Sequence, residues 1–222
     1  MTGILALVYR GPASLPGCPE AVASLLRASP WGFDVRFVGP KESTALGPQS
    51  LASAVVYAQP GGGELLRAYR KMRRSAAAIT DFVQGGGRYL GFCLGAYLAG
   101  ETPGFGLFPG DTDQYATSRG ADVRTEEETT VEVTWAGRPR RLYFQDGPWF
   151  DLDGDRGAAT VLARYHNDLP AAVVADCGAG RVGLVGPHPE ATPDWFTDAG
   201  LPVPEPLGLD LGLDLIDRVM RG

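Results

Sequence analysis

Short apolar runs alternate with stretches in which apolar residues recur every three or four positions, a pattern that predicts strands alternating with helices. Ile4–Tyr9 has no polar face, as befits a central strand covered by helices on both sides, and it ends at Arg10-Gly11-Pro12. After Pro19, the segment Glu20–Arg27 carries Val22, Leu25 and Leu26 at helical spacing, and Phe33–Val38 returns as a second strand, completing a βαβ unit. A Gly-, Pro-, Ser- and Thr-rich loop from Pro40 to Ser50 leads to a third strand, Ala54–Ala58. Glu64–Gln84 reads as a helix broken near Arg74-Ser75, with Leu65, Leu66, Tyr69 and Met72 apolar. Three glycines then precede a short apolar strand, Arg88–Phe92, and Leu94–Ala99 opens a helix of small residues.

Beyond this point the pattern changes. Thr102–Gly110 is too rich in Gly and Pro for regular structure and is expected as a loop near the site. Thr129–Trp135 and Arg140–Gln145 predict a hairpin turning at Ala136-Gly137-Arg138-Pro139. Its second arm runs into Phe144-Gln145-Asp146-Gly147-Pro148-Trp149-Phe150, which reads either as pocket lining or as stacked core aromatics. Ala159–Tyr165, Ala171–Ala175 and Arg181–Gly186 follow as strands, and Gly212–Arg221 as a closing helix. The expectation is a single α/β domain over residues 1–222, with a mostly parallel central sheet and an inserted β-hairpin.

With 20 basic and 26 acidic residues the net charge is −6, which argues against general nucleic-acid binding. The first apolar run has no cationic segment before it and is too short to span a membrane, so a cytoplasmic location without membrane contact is expected. Cys18, Cys93 and Cys177 are odd in number and widely spaced, matching neither a disulfide framework nor a zinc site, and neither metal nor cofactor is expected. Only two histidines are present, His166 and His188.

The candidate chemistry centres on Gly91-Phe92-Cys93-Leu94-Gly95. A nucleophile on a sharp strand-to-helix turn needs small residues two positions to either side, and a helix N-terminus beside a cysteine favours thiolate and offers backbone N–H groups to an oxyanion, here that of Leu94. The competing reading is a buried structural cysteine. Gly186-Pro187-His188-Pro189-Glu190 follows the last strand. Proline after His188 favours extended geometry, which points His188 and Glu190 to the same side, as a base and its orienting carboxylate require. A solvated turn is the alternative. Gln59-Pro60-Gly61-Gly62-Gly63 supplies either the second half of an oxyanion hole or a tight turn into the next helix. Tyr9, Arg10 and Gly11 are pocket candidates by their place at a strand end, or members of an ordinary βα loop. The cluster Arg67, Arg70, Lys71, Arg73 and Arg74 reads as a solvated helix face.

Together the elbow and His-Pro-Glu resemble the class I glutamine amidotransferase-like superfamily. The stretches VYRGPAS, QPGGG, FVQGGGRYLGFCLGAYLAG, YFQDGPWF and GRVGLVGPHPEA resemble its branch named for the N-terminal domain of eukaryotic biotin-protein ligases. The resemblance implies a flavodoxin-like three-layer domain with Cys93 as nucleophile, His188 as base, Glu190 as its orienter, and Gly61, Gly62 and Leu94 as oxyanion donors. Tyr9, Arg10, Tyr97, Gln145 and Asp146 are the candidate substrate contacts. Family members that use glutamine usually carry Gln at the position of Tyr97, so the departure implies another substrate, one with an apolar or aromatic group in a pocket that Phe92, Tyr143, Phe144 and Trp149 would deepen. No stretch of the 222 residues reads as a synthetase or ligase catalytic domain, leaving a separate synthetase or acceptor protein as a possible partner beside a small-molecule substrate. The expected activity is cysteine-dependent cleavage or transfer at a carbon–nitrogen bond. A non-catalytic binding domain of the same fold and a thiol redox sensor are the alternatives.

Overall fold

Side-chain alternation along the strands divides the core between two helix layers. In the computed structural model, which describes residues 3–101, 103–152 and 159–221, Ala6 and Val8 of β1 (Ile4–Tyr9) share one cluster with Val22, Leu25 and Leu26 of α1 (Cys18–Ala28) and Leu215, Ile216 and Val219 of α7 (Leu209–Met220). Leu7 and Tyr9 face the opposite cluster, with Met72 of α3 (Leu65–Met72) and Ile79 and Val83 of α4 (Ala76–Gln84). The same division recurs on β4 (Arg88–Phe92), where Leu90 and Phe92 join the first cluster and Tyr89 the second.

The main sheet begins β2 (Phe33–Val38), β1, β3 (Val56–Gln59), β4, β11 (Gly180–Val185), all parallel. Beyond β11 it continues antiparallel through β10 (Pro170–Cys177), β9 (Ala159–Tyr165), β6 (Thr129–Trp135) and β7 (Arg138–Phe144). Because β9 and β7 again point along β11, the sheet is mostly parallel in strand direction within a mixed α/β fold, although its ladders beyond β11 are antiparallel.

Differences from the sequence expectation have local causes. The third strand starts at Val56 because a short helix, α2 (Pro48–Leu51), takes up the preceding loop. The β6–β7 turn needs two residues, Ala136 and Gly137, with φ of 47° and 79°, so Arg138 and Pro139 already belong to the second arm. That pair is tied to α7: Trp135 Nε1 donates to Asp214 at 2.9 Å, and Arg140 grips Asp210 at 2.6 and 2.8 Å. Two short strands not anticipated, β5 (Gly110–Gln114) and β8 (Pro148–Leu152), pair antiparallel in a small second sheet. The Gly- and Pro-rich loop before β5, whose first residue, Thr102, lies outside the described residues, packs Phe105 and Leu107 behind the elbow, through bonds of 2.8 Å to the carbonyls of Leu98 and Ala99.

Candidate functional site

Cys93 ends β4 and precedes α5 (Leu94–Tyr97), with φ 48° and ψ −105°. A non-glycine residue held there costs about 1–3 kcal/mol unless its surroundings impose the conformation. They do. A side chain at Gly91 would lie 2.6 Å from the Gly95 carbonyl, and one at Gly95 would strike the carbonyl of Gln59. Gln59 is itself locked, its Nε2 donating to Ala13 at 2.9 Å and its Oε1 accepting from Tyr57 at 2.6 Å. Tyr89 adds a 2.7 Å bond to the Gly95 carbonyl. The Cys93 N–H donates to Val185 of β11 at 2.9 Å. α5 is a single turn, so its value to the thiol lies less in a long dipole than in the Leu94 N–H, which has no partner within its own helix.

His188 follows β11, its N–H donating to the Tyr143 carbonyl at 2.9 Å in an isolated bridge to β7. Its Nδ1 lies 2.8 Å from Glu190 Oε1, and the two side chains are 4% and 0% exposed. Burial opposes charge on this ring, yet the Glu190 carboxylate, hydrogen-bonded to Nδ1, and the nearby Cys93 outweigh it and push His188 up to about 10. With Nδ1 committed to Glu190, Nε2 is the nitrogen left for Cys93. The second carboxylate oxygen of Glu190 is buried without a hydrogen-bond partner among the described residues, which makes a charged imidazole its main compensation. Tyr143 and Trp195 pack edge-on against the imidazole, at 5.8 and 5.2 Å between ring centres.

The glycine run lies against both groups. A side chain at Gly61 would come within 2.6 Å of His188 Cε1 and 3.3 Å of Cys93 Cβ, and Gly62 and Gly63 have φ of 89° and 97°. Two cavities meet here. The first, about 280 Å³, is bordered by Cys93, Leu94, Tyr97 and Asp146, together with Glu64 and Glu126. The second, about 340 Å³, is bordered by His188, Tyr143 and Trp195, with Glu128, Asp194 and Asp198. Leu15, Gly62 and Gln145 belong to both walls.

The structure brings Cys93, Leu94, Gly62, Tyr97, Gln145, Asp146 and His188 onto the walls of the two adjoining cavities, with Gly61 against Cys93 and His188 and with Glu190 bonded to His188. Tyr9 and Arg10 are elsewhere and line neither cavity. β3 separates β1 from β4; Tyr9 is 3% exposed within the core, and Arg10 is held by Glu42 at 2.8 and 2.9 Å and Glu20 at 3.1 Å above the Phe37 ring. The expected aromatic lining also fails to form: Phe92 and Phe144 are fully buried in the core and Trp149 borders neither cavity, leaving Tyr143 on the His188 side. Gln114, missed in the sequence, bridges Asp146 at 2.6 Å and Glu126 at 2.9 Å. Trp195 was missed with α6 (Pro193–Asp198), although Thr192-Pro193-Asp194 is a recognisable helix start.

The fold corresponds to a class of known proteins. A glutamine amidotransferase from Thermotoga maritima superposes with a TM-score of 0.56 at 15% identity, covering 97% of this chain and 90% of that one. The chain has a class I glutamine amidotransferase-like fold, and its N-terminal half resembles the biotin-protein ligase N-terminal region. Residues 4–112 match the family model described as biotin-protein ligase, N terminal. A biotin–protein ligase of Schizosaccharomyces pombe is 25% identical over 199 residues, 77% of this chain but 30% of the ligase. An uncharacterized protein of Chlamydia muridarum is 30% identical over 157 residues, 61% of this chain and 60% of that protein. Among the described residues, no helix is long and apolar enough to cross a membrane.

Proposed function

We propose that the protein is a cysteine-dependent hydrolase or acyltransferase acting on a carbon–nitrogen bond. The observation that carries this reading is Cys93, held at a left-handed elbow on the wall of a cavity, beside a buried His188–Glu190 pair 2.8 Å apart. His188 takes the Cys93 thiol proton as the sulfur attacks the amide carbonyl carbon, while the N–H groups of Leu94 and of Gly61 or Gly62 hold the oxyanion. His188 gives its proton to the leaving nitrogen, the carbon–nitrogen bond breaks, and a thioester remains on Cys93. Water or a second amine then attacks the thioester, and His188 takes the incoming proton and passes it to the departing Cys93 sulfur, which restores the thiol. Glu190 fixes the imidazole tautomer and stabilises its cation. The similarity of the chain to part of a much longer ligase supports a separate synthetase or acceptor protein as partner.

Incubation with p-nitrophenyl acetate and a panel of simple amides, followed by intact-mass measurement, tests the reading. An acyl adduct that maps to Cys93, turns over and disappears in Cys93→Ser is the expected result. Acylation that survives Cys93→Ser, or no acylation from any donor, overturns it.

A further inference from the structure

The candidate nucleophile and its base open onto different cavities. Cys93 borders the first and His188 the second, and the two share the wall of Leu15, Gly62 and Gln145. A scissile amide must present its carbonyl carbon to Cys93 and its nitrogen to His188, because His188 has to reach the nitrogen to protonate it. The acyl part then occupies the first cavity and the leaving amine the second. This division, read from the positions of sulfur and imidazole, assigns a ligand to the second cavity independently of its charge.

The second cavity carries Glu128, Asp194 and Asp198 around the rings of Tyr143 and Trp195, and among the described residues no lysine or arginine lines either cavity. Glu128 is oriented by the Tyr143 hydroxyl at 2.7 Å. Carboxylates at the mouth of a narrow cleft focus a negative potential into it, and aromatic faces add attraction for an organic cation. We propose that the second cavity is the leaving-amine subsite and that it selects amides whose released amine bears an additional positive charge, as in mono-acylated diamines. This rests on the hydrolytic reading above. Per turnover, one amide and one water give one carboxylic acid and one diamine, with the proton on the leaving nitrogen supplied by His188 and recovered from water.

The test compares kcat/KM for matched N-acetyl and N-benzoyl amides of 1,4-diaminobutane, butylamine and 4-aminobutanoate. The diamine amides are expected to exceed the butylamine amides by about tenfold or more at low salt, with the advantage shrinking as salt is added. The double substitution Asp194→Asn with Asp198→Asn should reduce the diamine-to-butylamine ratio several-fold, whereas a positive charge moved to the acyl side should show no such dependence on these two residues. Independently of turnover, cationic 2-aminoethyl methanethiosulfonate should modify Cys93 faster than its anionic 2-sulfonatoethyl counterpart, by a ratio that also falls in the double variant. Turnover that is equal or faster with neutral or anionic leaving amines, or an unchanged ratio in the double variant, overturns this inference alone. Failure of every amide together with p-nitrophenyl acetate overturns the hydrolytic reading beneath it.

Discussion

The two halves of the main sheet contribute to the cleft in different ways. The parallel half holds Cys93 through the backbone: Gly91 against Gly95, Gly95 against Gln59, and Cys93 N–H on Val185 leave the elbow one conformation. The antiparallel half contributes side chains on an adaptable frame, with Tyr143 against His188 and Gln145 between the cavities, tied to α7 by Arg140 and Trp135. Nucleophile position is thus a matter of sterics, and lining is a matter of contacts that substitution can retune. The predictions below test that division.

The largest effects are expected where the halves join, at Cys93 and at the His188–Glu190 pair just beyond β11. Glu190→Gln should lower amide turnover by roughly 10²–10⁴-fold, less than Cys93→Ser or His188→Ala, because the residue orients and stabilises a base instead of reacting. It should also move the pH profile. Since Glu190 helps raise His188 to about 10, the supply of protonated His188 to the leaving nitrogen should fail as pH rises through that value, and the variant should lose activity at lower pH. The stability linkage has the same sign. A raised histidine contributes fully below the unfolded value of about 6.5, and that contribution is lost as pH climbs to about 10. Kinetics and thermal denaturation across pH 6–11 measure both; an alkaline limb unmoved in the variant contradicts the role of Glu190.

The backbone argument predicts unequal costs for one kind of substitution in the two halves. Gly95→Ala drives a methyl into the Gln59 carbonyl and should destabilise by about 3 kcal/mol or more. Gly137→Ala, at the β6–β7 turn with φ 79° and no atom near the added methyl, should cost about 1 kcal/mol. Urea unfolding of the two variants decides, and equal costs would dissolve the distinction between the halves.

Legibility of the sequence follows the same line. Apolar runs gave away β1 and β4, apolar residues at alternate positions gave away β2, and the elbow glycines were readable because only one backbone geometry requires both. His188 and Glu190 were readable because proline constrains the residue before it. The aromatic lining was not, since which face a strand residue takes depends on register, and β7 sends Phe144 to the core where Tyr115 packs against it at 5.9 Å. β5, Gly-Asp-Thr-Asp-Gln, has no apolar alternation to betray it and is a strand because β8 pairs with it. Arg10 was misplaced by a rule about strand ends that ignores which strand carries the nucleophile.

A third contrast separates the cysteines. Cys18 borders the second cavity, and Cys177 ends β10 in the antiparallel half, but burial pushes both thiols up, Cys18 with further help from the charges of Glu190 and Cys93. Iodoacetamide at neutral pH should label Cys93 at least about tenfold faster than either, because thiolate is the reacting form and Cys93 has an imidazole partner. Peptide mapping after timed quenching reads the three rates; comparable labelling of Cys18 would remove the case for an activated thiol at the elbow.

The smallest effect concerns Tyr97 and tests how far side-chain lining, as opposed to elbow geometry, sets the substrate. Tyr97 borders the first cavity one turn past Cys93, where a glutamine would offer amide donors to a zwitterionic substrate. Its neighbours there include Glu64, Glu126 and Asp146, and the Asp146 carboxyl, raised mainly by burial, already accepts from Gln114 at 2.6 Å. An α-carboxylate entering this cavity meets like charge and finds no cation among the described lining residues, at a cost that one added amide cannot offset. Free glutamine should therefore be a poor substrate of the wild type, and Tyr97→Gln alone should raise its kcat/KM by no more than a few-fold. Tyr97→Gln combined with Glu126→Gln should gain more than the two single changes together, since one supplies donors and the other removes repulsion. Ammonia release by the four proteins measures this. Efficient glutaminase activity in the wild type, or a large gain from Tyr97→Gln alone, would show that the carboxylates do not govern the pocket.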